Sequence, residues 1–148
     1  MKIPGLTVKV KKIHEGSKVP CKQTDTAAAC DIYYPYDEPV TLHSHEMRVV
    51  STGLAMEIPK GWKGEIYSRS GLASKGIFVI NQPGKIDSDY RGEIKVLLYN
   101  SSYDSITLVK GARIAQFELN PVYGFEWIET NELSDSERGN GGLGSTGD

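Results

Sequence analysis

Hydrophobic and polar positions alternate along most of this chain in short runs. The clearest is Gly92 to Asn100 (GEIKVLLYN), where Ile94, Val96 and Leu98 fall on one face and Lys95, Leu97 and Tyr99 on the other. That period of two is the period of a β-strand, and Leu97 makes the second face partly apolar, so both faces are expected to be covered. Further β-prone runs are Leu6 to Val10, Asp31 to Tyr34, Met47 to Ser51, Leu54 to Ile58, Gly64 to Tyr67, Ile77 to Ile80, Ser105 to Val109 and Arg113 to Leu119. Gly, Pro, Asn, Asp and Ser punctuate them, which predicts an all-β sandwich or barrel. Only Ser68 to Gly76 (SRSGLASKG) suits a short helix of about two turns, with Ser70 placed to cap its start. No fixed-period repeat is present.

The pattern changes near the end. From Ser134 to Asp148 the chain is glycine-rich, has no aromatic residue and carries Leu143 alone as an aliphatic. Such a segment cannot bury enough apolar surface to offset its ordering entropy, so a β domain over 1–133 and a flexible Gly-rich C-terminal arm over 134–148 are expected. With 148 residues in all, one core is what the length supports.

Charge narrows the functional classes. A net charge of −2 with 24% charged residues predicts no direct nucleic-acid partner and no anionic membrane, so an anionic ligand has to be held by local groups. Neither a run of about 20 apolar residues nor a signal-like core in MKIPGLTVKVKK is found. The expected location is therefore the cytoplasm, or the nucleus as well in a eukaryotic source. Cys21 and Cys30 read as free thiols, and His43 and His45 as a solvated strand in preference to a metal pair.

Three stretches carry candidate chemistry. In the arm, Arg138 to Gly147 (RGNGGLGSTG) combines an arginine fork, the Ser145 and Thr146 hydroxyls and glycines such as Gly142 and Gly144 whose N–H groups can converge. That is a phosphate clamp or, alternatively, a disordered tail; it is not a Walker loop, because it lacks the Lys-Ser/Thr ending. Arg69-Ser70-Gly71 repeats the theme, as a second phosphate site or a simple turn. Asp87, Ser88 and Asp89, followed by Tyr90 and Arg91, occupy what reads as the tip of a hairpin. An ionised aspartate there is either a general base for an attacking water or a residue of turn chemistry.

Five segments in order resemble the trimeric dUTP pyrophosphatase (dUTPase) family: Ala27 to Ile32 (AAACDI), Gly64 to Ala73 (GEIYSRSGLA), Gly84 to Ile94 (GKIDSDYRGEI), Gly111 to Gln116 (GARIAQ) and Arg138 to Gly147. The resemblance implies a jelly-roll-like homotrimer with shared active sites, and Mg2+-dependent hydrolysis of dUTP to dUMP and pyrophosphate. Such an activity limits uracil incorporation into DNA and supplies dUMP for thymidylate synthesis. By the same resemblance Asp87 is the general base, Tyr90 packs under the deoxyribose, and Asn81 with the backbone at Gly84 and Ile86 reads uracil. Arg69, Ser70, Gly71 and Gln116 hold phosphates, Asp31 reaches Mg2+ through water, and Arg138, Gly142, Leu143, Gly144, Ser145 and Thr146 form the closing arm.

The chain departs from the family pattern at four places. Ala29-Cys30 stands in the first segment where Gly-Tyr is usual. Lys85 replaces an aliphatic residue and either adds a phosphate contact or points to water. Ala112 replaces an acidic residue, removing an ion pair, and Leu143 replaces phenylalanine over the uracil. Rival readings are a deoxycytidine triphosphate deaminase, whose glutamate motif is not evident, a nucleotide-switched module with a regulatory protein partner, and a purely structural β trimer.

Overall fold

The computed structural model describes residues 3–142. Ten strands form two four-stranded sheets and a small third sheet, all paired antiparallel. They are β1 (Lys9–Lys12), β2 (Cys30–Tyr33), β3 (Val40–Leu42), β4 (Met47–Glu57), β5 (Trp62–Tyr67), β6 (Ile77–Val79), β7 (Gly84–Ile86), β8 (Glu93–Asn100), β9 (Ile106–Leu108) and β10 (Arg113–Pro121). The first sheet has the order β1-β4-β8-β6, the second β2-β10-β5-β7, and β3 pairs with β9. This is the expected all-β, jelly-roll-like architecture with one short helix.

The inward faces follow the alternation. Ile94, Val96 and Leu98 of β8 are buried beside Val50 and Leu54 of β4 and Ile77 and Val79 of β6, and the opposite sheet adds Ile32, Ile66, Ile114 and Phe117. Burial on this scale is the main stabilising term of the domain.

Four local expectations change. Met47 to Ser51 and Leu54 to Ile58 form one strand, β4, because Gly53 at φ +64° absorbs a register shift between Ser51 and Ala55 and keeps the chain running. A Cβ on Gly53 would lie 2.2 Å from Ser17 Oγ, so the bulge needs glycine for space as well as for φ. Strands β3 and β7, three residues each, were not expected; neither is long enough to show a period, and each depends on a partner distant in sequence.

The helix α1 covers only Ser70–Ala73, and Arg69 is its N-cap with no side-chain cap bond. Ser70 is the first helical residue and not the cap, because Arg69 is the residue with extended backbone. Lastly, Asp87 to Asp89 do not tip a hairpin. Strand β7 pairs with β5 and β8 with β4 and β6, so the segment between Ile86 and Glu93 crosses from one sheet to the other.

Beyond β10 the described residues carry no further strand or helix, and Tyr123, Phe125, Trp127, Ile128 and Leu133 stand exposed.

Candidate active site

The sheet crossing creates a pocket of ≈ 250 Å³ at the ends of β6, β7 and β8. Its apolar walls are Ile66, Val79, Ile86, Val96 and Leu97, and Asn81, Gly84, Lys85, Asp87, Tyr90, Glu93 and Lys95 supply the rest. The base, sugar and water candidates Asn81, Gly84, Ile86, Asp87 and Tyr90 thus meet in one place by way of their side chains or backbone. The space suits a single heterocycle with its sugar better than a large ligand.

Local bonds position each of these groups. Ile80 N–H donates to Leu97 O at 2.9 Å, and Gln82 Oε1 accepts Ser68 N–H at 3.0 Å, which holds the Asn81 segment against both sheets. A Cβ on Gly84 would come to 3.3 Å from Asn81 Nδ2, so glycine leaves the backbone open beside that amide. The Asp87 turn is closed by Tyr90 N–H to Asp87 O at 3.2 Å and by Arg91 Nη1 to Ser88 O at 2.7 Å. Turn closure therefore uses the backbone of Asp87 and leaves its carboxylate out. Tyr90 Oη donates to Glu93 O at 3.0 Å, and a Cβ on Gly92 would lie 2.4 Å from that hydroxyl. Only glycine at 92 lets the ring fold back in this way.

On its other side the Asp87 turn borders a broader groove of ≈ 930 Å³ that includes Lys60, Trp62, Lys63 and Arg91. Asp87 stands on the ridge between the two concavities.

The phosphate candidates gather elsewhere. On the outward face of the second sheet Gln116 of β10 lies between Asp31 of β2 and Tyr67 of β5. Arg69 Nε donates to Asp31 Oδ1 at 2.7 Å and Arg113 Nη1 to Oδ2 at 3.3 Å, with the Asp31 carboxylate only 2% exposed. Two guanidiniums share one carboxylate, which leaves a surplus positive charge at the surface suited to an anion. Ser70 and Gly71 start α1 beside them, and both are exposed. Arg69, Ser70, Gly71 and Gln116 do not line the Asp87 pocket. Arg138 Nε donates to Gly141 O at 2.9 Å in a turn of its own, Gly142 follows it, and Leu143, Gly144, Ser145 and Thr146 lie outside the described residues.

A divalent ion is implied by the resemblance, and Asp31 is the residue named for it. Both Asp31 oxygens are already held by arginines, and among the described residues no group of three or more His, Cys, Asp or Glu side chains could hold a metal. The donor set fits an ion that arrives on phosphate oxygens, with Asp31 accepting hydrogen bonds from its water through its remaining lone pairs. It does not fit direct ligation by the protein alone.

Several pairings escaped the sequence reading. Lys85 neither meets water alone nor stands free for phosphate: it pairs with Glu65 across β5 and β7. Glu65 also takes Lys63 Nζ at 2.9 Å, Tyr67 Oη at 2.8 Å and Asn120 Nδ2 at 2.7 Å. Lys85 above all, then Lys63 and Tyr67, hold its carboxyl well below the usual range, at about 2. Glu93 accepts Gly53 N–H at 2.9 Å, tying the end of the Asp87 loop to the β4 bulge. Arg113, Glu65 and Glu93 all lie in segments singled out above, beside Gln116, Arg69 and Asp87; what a single sequence does not display is their pairing with Asp31, Lys85 and Gly53.

The cysteines are free as expected, and burial pushes the Cys30 thiol up. His43 and His45 lie in the turn after β3, not on a strand: His43 Nδ1 meets Ser105 Oγ at 3.2 Å and His45 sits at φ 57° against Tyr103. The place of the missing acidic residue, Ala112, packs against the core instead.

A model of the dUTPase family matches residues 15–147. The deoxyuridine 5'-triphosphate nucleotidohydrolase of Nautilia profundicola is 49% identical over 143 residues, covering 96% of this chain and 99% of that one. Its counterpart in Hydrogenobaculum sp. is 46% identical, covering 93% and 96%. Among solved structures, a mutant dUTPase of Staphylococcus bacteriophage 80alpha with dUpNHpp superposes at TM-score 0.84 with 29% identity, covering 95% of this chain and 98% of that one. A mutant dUTPase of Staphylococcus aureus phage phi11, described for its coordination of a structural Mg(II) ion, gives TM-score 0.77 at 25% identity over 87% of this chain and 99% of its own.

Proposed function

Because the chain belongs to the dUTPase family and is a dUTP nucleotidohydrolase, we propose that it releases pyrophosphate by attack of water on the α-phosphorus with Asp87 as general base. The observation that carries this reading is the Asp87 carboxylate on the wall of the pocket, left out of its own turn's hydrogen bonds. Asp87 takes a proton from the water as the water oxygen bonds to the α-phosphorus. The bond from that phosphorus to the bridging oxygen breaks, and pyrophosphate leaves with its electron pair, giving dUMP for thymidylate synthesis.

Asn81 and the backbone at Gly84 and Ile86 pair with the uracil edge, so a base with the wrong donors leaves buried groups unmatched. Arg69, Ser70, Gly71 and Gln116 bind phosphates, where positioning and charge stabilisation supply most of the rate enhancement. Mg2+, when bound, neutralises phosphate charge, and Asp31 would hold it through water. The arm of 134–148, with Arg138, Gly142, Leu143, Gly144, Ser145 and Thr146, closes over the substrate.

Separation of the Asp87 pocket from the Asp31–Arg69–Gln116 cluster supports a homotrimer in which one chain's pocket is completed by another chain's arginine. The same reading keeps the protein in the cytoplasm. A second reading adds a regulatory protein partner, favoured by 80alpha-type neighbours described as controlling transfer of virulence genes; capture of a partner that depends on bound nucleotide would test it.

Pyrophosphate release in Mg2+ from dUTP, and not from dCTP, dTTP or UTP, is the test of the main reading; turnover of dCTP at a rate close to that of dUTP would sink it. Sugar selection has its own variant. In Gly92→Ala the new methyl displaces the Tyr90 ring. The kcat/KM ratio of UTP to dUTP is then expected to rise by about 10-fold or more, since a lost steric or polar mismatch is worth one to a few kcal/mol. An unchanged ratio would remove Tyr90 from sugar discrimination.

A further inference from the structure

We infer that Lys85, held by the buried Glu65 carboxylate, is a positioning residue that sets where Asp87 stands. The inference rests on the reading of Asp87 as the base. Strand β7 is only three residues long and lies at the edge of its sheet, so among the described residues β5 is its sole sheet neighbour. Backbone pairing over Gly64–Ile86, Glu65–Lys85 and Ile66–Gly84 is a short ladder, and edge strands of this length are held weakly by backbone bonds alone. Asp87 is the first residue beyond that ladder.

Glu65 supplies what the ladder lacks. Its side chain is 7% exposed and sits on β5, where Asn120 ties it to β10 and Tyr67 and Lys63 fix it along its own strand. The carboxylate is therefore an immobile anchor in the middle of the sheet, and its remaining contact is the ammonium of Lys85 on the edge. Lys85 occupies the central position of β7, so its ion pair fastens the strand midway between Gly84, which faces the base candidate Asn81, and Ile86, which leads into Asp87. A partly buried pair with a preorganised acceptor holds position better than an exposed pair, which pays more side-chain entropy for less attraction. Misplacement of a base by a fraction of an ångström costs rate without costing much ground-state binding.

The experiment compares Lys85→Met, Lys85→Arg and Asp87→Asn with the wild-type full chain on dUTP and Mg2+, measuring kcat, KM and Tm. In Lys85→Met the buried Glu65 carboxylate keeps Lys63, Tyr67 and Asn120 as partners, so the fold survives with a lowered Tm, and kcat and KM are read well below that Tm. Lys85→Met is expected to lower kcat about 10-fold with KM changed by less than about 2-fold, and Lys85→Arg to restore most of kcat because it keeps a cation within reach of Glu65. Wild-type kcat in Lys85→Met, a loss expressed in KM, or a loss that arginine does not rescue overturns the inference while leaving Asp87 as base. A kcat for Asp87→Asn within about 10-fold of wild type overturns the base itself and the inference with it.

Discussion

Asp87→Asn is expected to lower kcat for dUTP by about 10²- to 10⁴-fold, the usual share of a general base, while dUTP binding and Tm change little. Asparagine has the same shape and keeps a carbonyl oxygen toward the water, but its amide cannot take up a proton at neutral pH. The loop has no reason to move. Its closure runs through Tyr90 N–H to Asp87 O and Arg91 Nη1 to Ser88 O, and neither bond uses the side chain being changed. Glu93, the other carboxylate on the pocket wall, is no substitute, because its oxygens are occupied by Gly53 N–H, Tyr36 Oη and Ser51 Oγ. Pyrophosphate release under saturating dUTP, together with the dissociation constant of a non-hydrolysable analogue, separates chemistry from binding. A kcat within 10-fold of wild type would remove Asp87 from proton transfer.

The sequence displayed some of this site and concealed the rest for definite reasons. Alternation in GEIKVLLYN assigned the inward face of β8 correctly, because that strand is long enough to show its period; the other face is not covered as expected, with Lys95 exposed and Leu97 and Tyr99 half-buried. Gly53 read as a break because glycine usually ends a run, whereas here it carries a bulge inside one strand. The three residues of β7 are too few to show a period, and nothing local to Asp87 tells whether its neighbours pair with each other or with two different sheets. Pairing partners are a property of the whole fold. The same limit hid Glu65: its partner Lys85 is 20 residues away, and the pair is visible only once β5 and β7 are in register. Motif order placed Asp87, Tyr90, Arg69 and Gln116 in one enzyme, but it carried no information on their division between a pocket and a separate arginine cluster.

That division gives the arginine cluster a consequence of its own. Arg69→Met is expected to damage stability and catalysis together, and Asp31→Asn added to it is expected to restore only the first. Asp31 is 2% exposed and depends on two guanidiniums; removing the nearer one leaves a buried carboxylate with Arg113 at 3.3 Å as its partner. Stranding a buried charge costs ~3–5 kcal/mol when no partner remains, and the surviving contact with partly exposed Arg113 places this case at the lower end. Neutral asparagine in the double variant needs no counter-charge, so most of that loss should return, a non-additivity that neighbouring charges produce and independent sites do not. The phosphate contact does not return, because asparagine at 31 supplies no cation. In both variants KM for dUTP should rise by about 10- to 100-fold, the value of one hydrogen bond to a charged group. Thermal unfolding of the single and double variants beside their KM values decides the point: if Asp31→Asn rescues KM along with stability, Arg69 serves the fold and not the substrate.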